Sequence, residues 1–100
     1  MTAIQLIQNE RDRQILKGYD ADHDDGHNDG CLADLAAYCA ASRDRSNQIV
    51  LPVWAAKYAD HIDAKHGHDR RQMLVIAAAL IVAEIERLQR AAPPAEEGKP

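Results

Sequence analysis

The chain has no run of lysine or arginine, and its formal charge is −4 with a pI near 5.6. A protein that grips a phosphate backbone needs a basic stripe, so direct nucleic-acid binding is not expected. The longest apolar run, Met73 to Ala83, has eleven residues, short of the ~18 that suggest a membrane span. It reads as a buried helix, and no membrane association is expected. The opening MTAIQLIQNERDR lacks a basic segment followed by a long apolar one, so no secretory signal is read and a cytoplasmic location is expected. Cys31 and Cys39 are the only cysteines and lie eight residues apart in one predicted helix. At ~1.5 Å rise per residue their Cα atoms would stand ~12 Å apart, beyond disulfide reach. Both are expected to be reduced and buried. The sequence contains no G-x-S-x-G, no P-loop and no G-x-G-x-x-G, and its serines, Ser42 and Ser46, fall in a polar connector. Nucleophilic catalysis therefore has no support. Internal repeats and sustained strand alternation are also missing.

What remains is helical patterning. One hundred residues make one domain with a modest core, which self-association would enlarge, so a homo-oligomer is a reasonable expectation. The fold expected is all-α, a compact bundle of about four helices over residues 1–91, followed by a flexible tail over 92–100, APPAEEGKP. The first helix runs from about Thr2 to Lys17, with Gly18 placed to end it. Ile4, Ile7 and Ile15 share a face of this helix, and Arg11 falls in the middle of that face. Such an arginine either packs its stem and reaches water with its head, or pairs with a carboxylate from another element.

A second helix is predicted from about Gly30 to Ser42, with Asn28 or Asp29 as N-cap. Its apolar stripe is Leu32, Leu35, Ala36 and Cys39, flanked by Tyr38. After a connector, Pro52 suits the first turn of a third helix ending near His66, with Trp54, Tyr58 and Ile62 at four-residue spacing and Gly67 able to close it. His61, His66 and His68 read as solvated. Asp69 and Gln72 approximate a capping box at the start of the last helix, which should extend to about Arg90. Its first half is apolar all round, as a central helix would be. In its second half Ile81, Ile85 and Leu88 are expected to continue the buried stripe, with Glu84 at the flank and Glu86 and Arg87 outward. Glu86 and Arg90 are spaced for a surface pair.

Between the first two helices lies GYDADHDDGHNDG, residues 18–30. An EF-hand loop starting at Asp20 would place Asp25 where glycine is required and Cys31 where the bidentate glutamate belongs, so that reading fails. His23, His27 and Cys31 share the spacing of zinc ligands on one helical face, but Gly26 and Gly30 weaken a helix there. Magnesium or manganese needs only one or two carboxylates besides water and substrate phosphate. Asp24 and Asp25, with Glu10, Asp34 or Glu84 from neighbouring helices, can supply them. The structural alternative is a solvated loop whose aspartates cap backbone amides.

NERDRQILKGYDADHDDGHNDGCLADLAAYCA and RRQMLVIAAALIVAEIERLQR together resemble a family of short phage and prophage proteins. Its pattern runs roughly E-R-x-R-Q-I-x-x-x-G-[WY]-x-x-x-H-D-D, then G-E-L and an alanine-rich helix ending in tyrosine, then R-R-x-L and A-E-I-E-R-L. The matching residues are Glu10, Arg11, Arg13, Gln14, Gly18, Tyr19, His23, Asp24, Asp25, Gly30, Leu32, Tyr38, Arg70, Arg71, Leu74, Ala83, Glu84, Ile85, Glu86, Arg87 and Leu88, within residues 9–90. Cys31 departs from the glutamate of G-E-L, and Trp54 stands alone where relatives carry several tryptophans.

Small size, missing catalytic pairs, an acidic face and this resemblance together lead to the expectation of a small accessory protein in the host cytoplasm that binds and inhibits or sequesters a host protein or a phosphorylated small molecule, as anti-defence proteins do. No cofactor is expected on this reading. Its binding residues would be Glu10, Arg11, Arg13, His23, Asp24, Asp25 and Glu84. A fainter similarity, to all-α nucleotide pyrophosphohydrolases of the MazG type, implies a divalent-metal-dependent phosphohydrolase. Asp24, Asp25, Glu10 and Glu84 would then hold magnesium or manganese while Arg11 or Arg13 contacts phosphate, although the E-x-x-E and E-x-x-D pairs of those enzymes are missing. A third reading has a loop aspartate, or Glu84, neutralise Arg11 in a purely structural network.

Overall fold

A computed structural model describes residues 1–27, 30–41 and 43–91. Among them are six helices and no strand: α1 Ala3–Leu16, α2 Ala21–Asp25, α3 Cys31–Ala40, α4 Arg43–Ser46, α5 Val53–His66 and α6 Arg70–Ala91. The four long ones are those the periodicity predicts. The short α2 and α4 are additions within the acidic loop and the connector. The expected caps Asn28 and Asp29, and the tail over 92–100, lie outside the described residues.

Local chemistry sets the ends. Thr2 and Gln5 form a reciprocal capping box on α1. Its C-terminus is closed by the Tyr19 amide, which donates to the Gln14 carbonyl at 3.0 Å across Gly18, whose φ of +105° suits glycine. Asp69 caps α6 by accepting from the Gln72 amide at 3.1 Å. Pro52 precedes α5 as its N-cap.

The centre is the pair α3 and α6, with α5 packed on α3, and α1 and α2 packed on α6. Leu35, Cys39, Ala59, Met73, Ile76 and Ala77 form the core, joined by the partly buried Tyr38, Tyr58, Ile62 and Leu80. Its small residues let the helices approach closely, and each fully buried Leu or Ile contributes about 1.5–3 kcal/mol. The stripe of α3 is buried as its spacing predicts, and both cysteines are reduced and buried. In α5, however, Ala55 and Ala59 are the buried residues, while Trp54, Tyr58 and Ile62 are half-buried.

Two faces differ from expectation. On α1 the buried residues are Glu10, Arg11 and Gln14, whereas Ile4 and Ile15 are exposed. The docking face is rotated by roughly 60° from the isoleucine stripe at 100° per residue. On α6, Ile81, Ile85 and Leu88 are exposed rather than buried, and the inward line runs through Ile76, Ala77 and Ala83. One cause explains both. The segments that meet the second half of α6 are α1 and α2, which present arginine and carboxylates, so α6 turns its charged side toward them.

Candidate functional site

Arg11 is the hub of this polar contact. Its guanidinium donates to Asp24 Oδ2 at 2.9 Å, to the Tyr19 carbonyl at 3.0 Å and to Glu86 Oε1 at 3.2 Å. Arg11 and Asp24 retain 4% and 1% side-chain exposure, so they form a buried ion pair. A loop aspartate therefore neutralises Arg11, as the structural reading predicts. The second carboxylate is Glu86 and not Glu84, because Glu84 is taken by Arg87 at 2.6 Å. Asp24 is delivered by α2, whose N-cap Asp20 accepts from the His23 amide at 3.1 Å. The other oxygen of Asp24 meets His23 Nδ1 at 3.1 Å.

Glu10, equally buried, is held by Arg13 through contacts of 2.7 Å and by Gln14 at 3.3 Å, with Gln72 at 3.4 Å. Asp25 is paired with Arg90 at 2.8 Å on the outside of the fold, where the bond to Asp25 raises the arginine's pKa. Glu10, Asp24, Asp25 and Glu84 are thus distributed among four different arginines, and the fifth candidate, Asp34, is exposed on α3. Among the described residues no group of three His, Cys, Asp or Glu side chains is placed to hold a metal. His27 stacks on Trp54 with ring centroids 4.0 Å apart, while Cys31 is buried at the start of α3, so the zinc-like spacing is not assembled.

Helices α1 and α5 both pack on the central pair without packing closely on each other. The gap between them is an open cavity of about 310 Å³, at the lower end of the range for small-ligand sites. Glu10, Arg11, Arg13, His23 and Asp24 line it, whereas Asp25 and Glu84 do not. Facing them are Trp54, Tyr58, His61, Lys65 and His66 from α5, with Lys17 and Tyr19 from the end of α1. The aromatic side is ordered edge to face: Tyr19 and Tyr58 centroids are 5.2 Å apart, and Trp54 and Tyr58 5.4 Å. Burial, then a hydrogen bond to Tyr58, pushes the Tyr19 phenol up to about 12.

No family model, curated protein or solved structure matches this chain.

The cavity's electrostatics run against the chain as a whole. Arg11, Arg13, Lys17 and Lys65 meet only two carboxylates there, Glu10 and Asp24, in a protein of net charge −4. Lys17 and Lys65 have no carboxylate partner among the described residues. Burial first, and then the charge of Arg13, hold His66 below its ordinary pKa. Sequence reasoning missed the α5 contribution. The signal was available: Trp54, Tyr58, His61 and Lys65 recur at intervals of four, three and four, and so share one helical face.

Proposed function

We propose that this chain is a small binding protein whose cavity captures a phosphorylated small molecule bearing a flat ring, and that it acts by sequestering that molecule. The carrying observation is the juxtaposition, in one cavity, of excess cations with tyrosine and tryptophan rings. Lys17, Lys65 and His66 suit a phosphoryl group, and an aromatic wall suits a planar ring. The cavity's size accommodates a ligand on the scale of a nucleoside monophosphate. The resemblance to phage and prophage proteins fits a role in removing such a signal from a host cell.

Binding is favoured over turnover because Glu10, Asp24, Asp25 and Glu84, the four carboxylates of the phosphohydrolase reading, are each neutralised by a different arginine. Capture of a basic host protein through the acidic loop is less favoured, since Asp24 is buried and leaves Asp20, Asp22 and Asp25 as the exposed acids of α2 and its cap.

Thermal unfolding against nucleoside monophosphates and their unphosphorylated nucleosides tests the reading. At 100 times its dissociation constant a ligand adds ~2.7 kcal/mol, which in a domain this size is on the order of 10 °C. The shift should need the phosphoryl group and vanish in Lys17→Ala/Lys65→Ala without a change in the unliganded midpoint. Equal shifts with nucleosides, or no shift with any phosphorylated compound, would refute it.

A further inference from the structure

The outward face of α6 carries an apolar seam. Leu74, Ile81, Ile85 and Leu88 are 43%, 47%, 50% and 52% exposed, and Ala78 completes a spacing of four, three, four and three residues. That is the alternation by which one helix packs along another. No charged residue interrupts the seam between Leu74 and Leu88, because α6 turns Glu86 and Arg87 aside, Glu86 to Arg11 and Arg87 to Glu84.

We infer that the seam pairs with a second copy of this chain, α6 against α6, antiparallel about a two-fold axis near Ile81. The spacing is close to palindromic about that residue. Leu74 then lies against Leu88 of the other copy, and Ala78 against Ile85, small against large. A parallel pair would instead leave Ala78 against Ala78 and bring the two Arg71 side chains together. In the antiparallel pair each Arg71, exposed at the start of α6, faces the C-terminal turn of the opposite helix, where the helix dipole favours a cation. An isologous contact of this kind closes at two copies.

The area sets the strength. The four large side chains expose roughly 200 Å² per copy if each fully exposed one offers ~100 Å² of apolar surface. This is about a third of the ~600 Å² per partner at the lower limit of stable interfaces, so the dimer is expected to be weak and concentration-dependent.

Sedimentation equilibrium of the full chain from micromolar to millimolar concentration should show a monomer–dimer transition. Ile81→Glu, which sets two carboxylates against each other at the axis, should raise the dissociation constant at least tenfold while leaving helicity unchanged. Ile81→Cys should give a disulfide-linked dimer on mild oxidation, since Cys31 and Cys39 are buried and inert to cross-linking. A chain that stays monomeric at millimolar concentration overturns the inference. A dimer that is unaffected by Ile81→Glu, or one that Ile81→Cys does not cross-link, overturns it too.

Discussion

Removing Arg11 should damage the fold more than removing Arg11 and the charge of Asp24 together. The two side chains are 4% and 1% exposed at 2.9 Å, so Arg11→Met strands a carboxylate out of water with only His23 beside it. Breaking a buried pair from one side costs about 3–5 kcal/mol. The half-exposed Glu86 adds little to that figure, because it rehydrates when Arg11 is lost. At about 4–8 °C per kcal/mol, Arg11→Met should lower the melting temperature by roughly 12 °C or more. Asp24→Asn strands the guanidinium instead, but leaves it Glu86 and the Tyr19 carbonyl, so its loss should be smaller. In Arg11→Met/Asp24→Asn neither charge of the pair remains, and the total should fall short of the sum of the singles by on the order of 2 kcal/mol, more than the loss from Asp24→Asn alone.

Urea denaturation of the four proteins measures all of this. Strict additivity of the losses would refute the buried-pair account.

His66 makes the cavity pH-sensitive in two opposite senses. Because burial and Arg13 lower its pKa in the folded chain, the unfolded chain binds its proton more readily, and free-protein stability should fall as pH drops through about 6.5. A bound phosphoryl group would favour the imidazolium, so calorimetric affinity should rise over the same range, and His66→Gln should flatten both trends. Gly30 precedes α3 at φ +87°, and a Cβ there would meet nothing within 4 Å, so Gly30→Ala should cost about 1–2 kcal/mol from backbone strain alone. Gly30→Asn should cost less, as chemical denaturation would show.

The helices were legible because their ends carry local chemistry: Gly18 after α1, Pro52 before α5, and Asp69 with Gln72 at α6. The α3 stripe was legible because α3 packs as an ordinary amphipathic helix. A loop aspartate or Glu84 could be named as the partner of Arg11, since an arginine on a helix face needs a carboxylate nearby, but which of them it is, Asp24, depends on α2 and was not legible. Which faces of α1 and α6 turn inward was not legible. Periodicity identifies apolar stripes, and it assigns them to the interior only when the neighbouring element is apolar too. Here α2 forms inside the acidic loop, carries Asp24 inward and makes a polar neighbour for both helices. The cavity was hidden for a related reason, because one of its walls comes from α5, whose aromatic and basic residues lie more than thirty positions from Arg11 in sequence.

The same polar contact accounts for the cavity and for the exposed seam. An α1 docked through isoleucines would lie flat on the core, whereas one docked through Arg11 and Glu10 has long side chains between its backbone and α6. Those side chains fix the helix by directional bonds and leave space on its α5 side. They also draw the half-exposed Glu86 toward Arg11, and Ile81 and Ile85 lie outside. A chain with an apolar residue in place of Arg11 would have no reason to hold this arrangement. In Arg11→Met/Asp24→Asn, therefore, even where stability is largely kept, phosphorylated-ligand binding should fall together with the order of α2. A double variant that binds as well as the parent would show that the cavity is shaped by something other than this ion pair.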